Sequence, residues 1–313
     1  MNFASYTTSE YFPIFLTFYN SIKKDNNLSL YVLCLDEKVK KLIKKHQVKC
    51  IPIQLEQIEK FSNKIKKKKF NNISEKIGVY RLAYVDFLLQ TKKKSFHLID
   101  SDTYFFSNII LLDKEIKKLN PSVAFCKHNF YHNKSQMNNF YGIYNAGYIF
   151  FKYDKTSLNF LKNYRILCQN FISWHVKKNF KNNFADQTYL EDLLGKFKNI
   201  KIINHKGINC APWNIGNYTL INNGTKFKVD KMDLIFFHFS GIRSLFNKIF
   251  FFNLYHYNKK NLSNVKKTIY YKYLNDLKNN QIQFRNKNIK IKFSLLKIYK
   301  LIKKILNRDF LII

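Results

Sequence analysis

Apolar and polar positions over residues 1–58 switch between two periods. Phe3 to Tyr6 is a short apolar run, and Glu10 to Ile22 repeats its apolar positions every three to four residues. Leu28 to Leu35 is nearly continuous apolar sequence, Glu37 to Lys45 returns to a helical period, and Val48 to Ile53 is apolar again. Strand-like runs alternating with helical ones predict βαβ units and a parallel sheet. The lysine run Lys64 to Lys69 interrupts the pattern and predicts a solvated surface segment.

Ser74 opens a helical pattern that runs to about Gln90 and carries Tyr80, Arg81, Tyr84 and Asp86. The apolar run Ser95-Phe96-His97-Leu98-Ile99 follows and ends in Asp100-Ser101-Asp102. Further on, Val123 to Lys127 reads as a strand and His128 to Tyr141 as a polar loop rich in Asn and His. Asn145 to Lys152 reads as a strand entered through small residues, and Leu158 to about Val176 as a long amphipathic helix. Ala185 to Leu194 predicts a helix with Asp186 and Gln187 near its N-terminus, and Leu234 to Phe239 a last core strand.

At 313 residues, 46% of them hydrophobic, the chain is long enough for one large α/β domain with an appendage. Composition shifts toward lysine and aromatics after about residue 244, so residues 1–245 are expected to form the domain and residues 246–313 a basic, helical extension. Within it, Phe293 to Ile313 spaces Leu295, Leu296, Tyr299, Ile302 and Leu306 as an amphipathic helix would. Such a helix suits either packing on the domain or a membrane surface. No apolar stretch has the roughly 18 to 20 residues of a membrane span, and the N-terminus shows no secretory pattern. Five scattered cysteines without metal spacing predict reduced thiols and a cytoplasmic setting.

The formal charge of +35 changes the picture less than its size suggests. Only five of the 55 basic residues are arginine, and the wealth of Lys, Asn, Ile, Phe and Tyr is what an AT-rich genome produces. Read functionally, the charge would attract an anionic surface. No nucleic-acid motif accompanies it, so nucleic acid is not the expected partner. Peripheral contact with an anionic membrane at its cytoplasmic face is.

The chemistry lies in the acidic pair. In an extended segment alternate side chains share a side, so Asp100 and Asp102 can face one ion. Mg²⁺ and Mn²⁺ take hard oxygen ligands and bridge carboxylates to substrate phosphates.

Asp100-Ser101-Asp102, Asn145-Ala146-Gly147, Asp186-Gln187 and His238-Phe239-Ser240-Gly241 occur in the order seen in GT-A glycosyltransferases of the family-eight type. The stretches Asp186-Gln187-Thr188-Tyr189-Leu190, Ala211-Pro212-Trp213-Asn214 and Phe236 to Gly241 more narrowly resemble a group of bacterial putative glycosyltransferases. The resemblance covers roughly residues 1–245 and implies a Rossmann-like, mostly parallel sheet flanked by helices. It implies transfer of a sugar from a nucleoside-diphosphate donor, with UDP the expected nucleotide, to a hydroxyl acceptor such as a surface glycan. Asp100, Asp102 and His238 would hold Mn²⁺ or Mg²⁺, stabilising the diphosphate as it leaves. Ala4, Tyr6, Arg81, Ser101, Asn145, Ala146, Gly147, Gly241 and Arg243 would border the donor, although Arg243 stands where family-eight enzymes often have lysine. Asp186 would be the general base of an inverting reaction, whereas Gln187 would steady the sugar in a retaining one.

Two other classes fit parts of the chain. Asp100-Ser101-Asp102-Thr103 after an apolar strand also matches haloacid-dehalogenase-like phosphatases, with Asp100 as nucleophile and Asp102 as general acid or base. That motif normally opens its domain and is followed by a second acidic site, and here about 100 residues precede it. A non-enzymatic basic protein binding nucleic acid or membrane is supported by charge alone.

Overall fold

The computed structural model describes residues 1–25, 27–66, 69–70, 72–131, 136–171, 185–224, 226–245, 248–258, 262–282 and 302–313. The N-terminal half runs β1 (Asn2–Thr7), α1 (Phe12–Ile22), β2 (Ser29–Cys34), α2 (Glu37–Lys45), β3 (Ile51–Gln54), α3 (Leu55–Phe61), α4 (Asn63–Lys66), α5 (Ile73–Lys92), β4 (Phe96–Ile99), β5 (Thr103–Phe105), α6 (Ile110–Leu119) and β6 (Val123–Lys127). Then come α7 (Asn138–Tyr141), β7 (Tyr144–Phe151), α8 (Lys155–Phe171), α9 (Tyr189–Leu194), β8 (Ile200–Ile203), β9 (Leu220–Asn222), β10 (Phe227–Val229), β11 (Met232–Asp233) and β12 (Phe236–His238). The chain closes with β13 (Arg243–Leu245), β14 (Ile249–Phe251), α10 (Leu254–Tyr257), α11 (Ser263–Val265), α12 (Tyr271–Ile282) and β15 (Phe310–Ile312).

Seven of the described strands form one sheet in the order β3-β2-β1-β4-β7-β6-β8. Neighbours pair in parallel except β7, which runs antiparallel to both β4 and β6. This is the mostly parallel α/β sheet expected from the alternating periods. Its central strands are mostly apolar because helices cover both faces: every residue of β4 and of β7 is buried, His97 and Asn145 included. One core joins the sheet to α5, α8 and α9, and a second joins its other face to α1, α2 and α6.

Helix α5 is the element that matters most for the site. Asn72 caps it by accepting from the Glu75 amide at 2.9 Å, and Lys93 ends it in the left-handed conformation. Buried residues fill its middle turns, among them Val79, Leu82, Ala83, Tyr84 and Val85, so the helix is clamped between sheet and α8.

Several expected boundaries move. Asp186 and Gln187 precede α9 in a turn, with Ala185 at φ +57°, so the predicted helix from Ala185 begins only at Tyr189. The left-handed Ala185 interrupts the path, and the Tyr189 and Leu190 amides donate to Asp186 O and Gln187 O in a tighter turn. The polar loop His128 to Tyr141 ends in the short helix α7, and its residues 132–135 lie outside the described set. Helix α8 is described to Phe171, so its expected end near Val176 lies outside that set, as do Lys67 and Lys68 of the lysine run. Of the terminal helix expected from Phe293, residues 293–301 also lie outside it. Residues 302–306 are helical, but Phe310–Ile312 form a strand instead, because β14 offers an edge on which Phe310, Leu311 and Ile312 pair with Phe251, Phe250 and Ile249.

A third core contains Tyr104, Phe237 and Phe239 together with Phe252, Tyr270 and Tyr273, so residues on both sides of position 245 share it. Helix α12 packs on α1, and Tyr104 donates to Asp276 at 2.7 Å. No helix among the described residues is long and apolar enough to cross a membrane.

Candidate functional site

Strand order reverses between β1, which leads to β2 and β3, and β4 on its other side. In open α/β sheets ligands bind in the crevice beyond the carboxyl ends of strands at such a point. A cleft of about 1080 Å³ lies here, lined by Tyr6 and Thr7 from β1, Asp100 to Asp102 beyond β4, and Arg81 from α5.

The Asp100-Ser101-Asp102 segment is a turn rather than a continuation of the extended strand. The chain leaves the large sheet after Ile99 and enters a two-stranded sheet, in which Thr103 of β5 faces His238 of β12. Two backbone bonds and one side-chain bond hold the turn: Asp100 N–H donates to Gly147 O at 2.9 Å, Phe239 N–H to Asp102 O at 2.7 Å, and Thr103 Oγ1 to Asp100 O at 2.9 Å. The carboxylates therefore converge because β5 returns toward β12, not through strand alternation.

His238 lies 3.0 Å from Asp102 Oδ1 and 3.9 Å from Asp100 Oδ2 through its Nε2. Asp100, Asp102 and His238 each offer one ligand atom, all within 4.8 Å of one another. Two carboxylates and one imidazole fit Mn²⁺, or Mg²⁺ with more of its waters retained. Burial disfavours charge on His238, yet Asp102 and Asp100 outweigh it and raise its pKa above the ordinary value. Burial also raises the Asp100 pKa, against the pull of Arg81 and His238. A cation entering this cluster would relieve the crowding of two carboxylates in a desolvated pocket.

Arg81 is the hub of the second half. It is 4% exposed, and its Nη1 donates to Asp100 Oδ1 at 2.8 Å and to Tyr6 Oη at 3.1 Å. Its Nε donates to Asp186 Oδ2 at 2.9 Å, and Nη2 to Ala146 O at 2.6 Å. Tyr6 also donates to Asp100 Oδ1, and Tyr164 to Asp186 Oδ2 at 3.3 Å. One planar cation thus ties the acidic pair to the Asp186 turn, which a lysine's point charge would not do. Burial opposes the guanidinium charge, but Asp186, Tyr6 and Asp100 together push its pKa up. Asp86, further along α5, pairs with Arg165 and not with Arg81.

The other expected residues divide. Ser101, Asn145, Ala146, Gly147, Asp186 and Gln187 line the cleft. The Asn145 side chain is engaged inside the fold: Oδ1 accepts from Gly147 N–H and Asn209 Nδ2, both at 2.9 Å, and Nδ2 faces His128 Nε2 at 3.2 Å. Gln187 Nε2 donates to Tyr141 O at 2.6 Å. Ala4 is buried in the sheet core and does not line the cleft. Gly241 sits at φ +77° against Asn253, a left-handed turn that favours glycine, and neither it nor exposed Arg243 lines the cleft.

Asn209, His128 and Tyr164 support the site without any local sequence signal. Asn209 bonds Asn145 and also lies 3.3 Å from His238 Nδ1, fixing the imidazole from behind. Trp213, inside the Ala211-Pro212-Trp213-Asn214 stretch, meets the His238 ring edge-on at 5.2 Å and 76°.

No family model matches the chain. Among curated proteins it is similar to the uncharacterized protein YfnD of Bacillus subtilis (strain 168), 26% identical over 260 residues that span 81% of this chain and 80% of that one. It is also similar to YfnF of the same organism, 25% identical over 228 residues, spanning 70% and 74%. Among solved structures it is similar to mouse xyloside xylosyltransferase 1 in its apo form, with TM-score 0.49, 13% identity, and coverage of 77% of this chain and 98% of that one. The galactosyltransferase LgtC, solved with donor and acceptor sugar analogs, gives TM-score 0.49, 12% identity, and coverage of 77% and 87%. At such values neither likeness bears on the chemistry of the site.

Proposed function

We propose that this chain is a metal-dependent glycosyltransferase of the GT-A, family-eight-like type, moving a sugar from a UDP-sugar to a hydroxyl acceptor on a glycan. The observation that carries this reading is the convergence of Asp100, Asp102 and His238 at the switch point, with Arg81 joining them to Asp186. A cleft of about 1080 Å³ has room for a nucleotide sugar and an acceptor together.

Asp100, Asp102 and His238 would hold Mn²⁺ or Mg²⁺, which when bound neutralises charge developing on a departing diphosphate. Tyr6 and Arg81 occupy Asp100 Oδ1 and so leave Oδ2 to face the cluster. The phosphatase alternative is disfavoured by where the motif stands, after β1 to β3 and α5 rather than at the opening of its domain. Asp186, gripped by Arg81 and Tyr164, is a fixed acceptor for a hydroxyl of the transferred sugar. Gln187 lines the cleft next to it, with its Nε2 spent on Tyr141 O.

Peripheral contact with an anionic membrane belongs to the same reading. Its support is the charge of +35 and the exposed Ile302, Ile305 and Leu306 beside Lys303.

A thermal-shift screen of UDP-sugars with and without Mn²⁺ tests the reading. Stabilisation that requires both, and disappears in Asp102→Ala while the fold survives, is expected. Equal stabilisation of wild type and Asp102→Ala would overturn it.

A further inference from the structure

The two ends of the cleft differ in chemistry. On the β1 side its wall is largely polar, with Thr7, Thr8, Ser9 and Asp36 alongside Tyr11 and Leu35. Across β4, on the side of β7 and β6, the wall is aromatic: His128 and Phe130 follow β6, Tyr141 precedes β7, and Trp213 and Tyr257 come from later segments.

These rings form one continuous surface. Trp213 meets His238 edge-on, His128 at 5.5 Å and Tyr257 at 6.1 Å. Phe130 stacks on His128 at 4.7 Å and on Tyr257 at 6.1 Å, and lies 6.0 Å from Tyr141. The surface thus starts on a candidate metal ligand and ends at Tyr141, whose carbonyl holds Gln187. It is rigidly backed, since Asn258, next to Tyr257, donates to Pro212 O, and the Tyr255 amide donates to Asp309. Tyr141 and Tyr257 are half-buried, whereas Phe130, Trp213 and His128 are buried behind them.

None of the five rings carries a formal charge. Burial holds the His128 pKa down to about 3, so that ring is neutral at physiological pH. The donors on this wall, Trp213 Nε1–H and the two tyrosine hydroxyls, are neutral and few, so an anionic group placed here would lose its water without meeting a cation. A neutral pyranose suits it, because one sugar face is made of C–H groups that pack on aromatic rings while the hydroxyls remain at the rim.

We propose that the aromatic wall formed by Tyr141, Tyr257, Phe130, Trp213 and His128 is the acceptor subsite, and that it takes a neutral sugar ring. The inference rests on the glycosyltransferase reading. It adds that the acceptor is recognised by ring stacking on the β6/β7 side, opposite the polar end left to the nucleotide.

The chain has two tryptophans, so Trp174→Phe makes Trp213 the only fluorescent indole. That protein, with Mn²⁺ and UDP present, is titrated with glucose, galactose, N-acetylglucosamine, rhamnose, lactose and maltose. A saturable change in Trp213 emission with at least one of them is expected. Adding Tyr257→Ala should weaken that saccharide by about tenfold, the scale of one lost ring contact, and Tyr257→Phe should restore it. Absence of any saturable response in protein that binds UDP and Mn²⁺ overturns the inference, as does unchanged affinity in folded Tyr257→Ala and Tyr141→Ala. Failure to bind UDP-sugar, with saccharide binding intact, instead strikes the glycosyltransferase reading and leaves the sugar subsite standing.

Discussion

Gly147 lies directly beneath the His238 ring, so close that a Cβ at position 147 would come within 2.4 Å of His238 Cε1 and 2.6 Å of Nδ1. The strand that gives its carbonyl to Asp100 N–H thereby also sets where the imidazole can stand. Gly147 is needed here for space, not for an unusual backbone angle.

Gly147→Ala should therefore push His238 out of the cluster. Overpacking of this kind costs about 1–3 kcal/mol of stability. Mn²⁺ affinity should fall by about tenfold or more while the protein still folds, as isothermal titration calorimetry alongside urea unfolding would show. Unaltered Mn²⁺ affinity would mean that His238 is no ligand.

Arg81→Met strands Asp186 and removes the tie to Asp100. Breaking a buried pair by deleting one partner costs about 3–5 kcal/mol. Urea denaturation should show that loss, and Arg81→Lys should recover only part of it, because an ammonium cannot reach Asp100, Asp186 and Ala146 O together.

His97 is buried, with Nδ1 2.9 Å from Tyr148 Oη, and burial lowers its pKa to about 3. The folded state thus binds this proton less readily than the unfolded chain, whose histidine titrates near 6.5. Its contribution is intact above pH 6.5 and is lost as pH falls toward 3, at about 1.4 kcal/mol per unit. His97→Gln should flatten the pH dependence of unfolding free energy between pH 6 and 4 by one proton. A slope equal to that of wild type would refute the assignment.

Exposed Ile302, Ile305 and Leu306 should contribute to vesicle binding if the basic surface meets a membrane. Cosedimentation with vesicles rich in phosphatidylglycerol should be salt-sensitive and should drop several-fold when all three become Ser. Equal binding by the triple variant would place the contact elsewhere.

Much of the sheet was readable from period alone. Leu28 to Leu35 and Ser95 to Ile99 are nearly continuous apolar runs because their strands are covered on both faces, and both fall in the central sheet. Asp100 and Asp102 were readable as a pair, but the turn that makes them converge was not. It depends on β5 pairing with β12, more than 130 residues later, and no local window contains that partner. Asp186 shows the same limit: its segment has helical period, yet it stands in a turn before α9 and its carboxylate meets Arg81, 105 residues earlier.

The sequence by itself determined the α/β class, the main strands and the acidic pair, because burial periodicity and residue chemistry are local properties. Only the tertiary structure decided that Arg81 joins Asp100 to Asp186, that Gly147 seats His238, and that Trp213 and Tyr257 share a wall with Phe130. Those contacts join residues distant in the chain, and they exist only once the sheet order brings their segments to one edge.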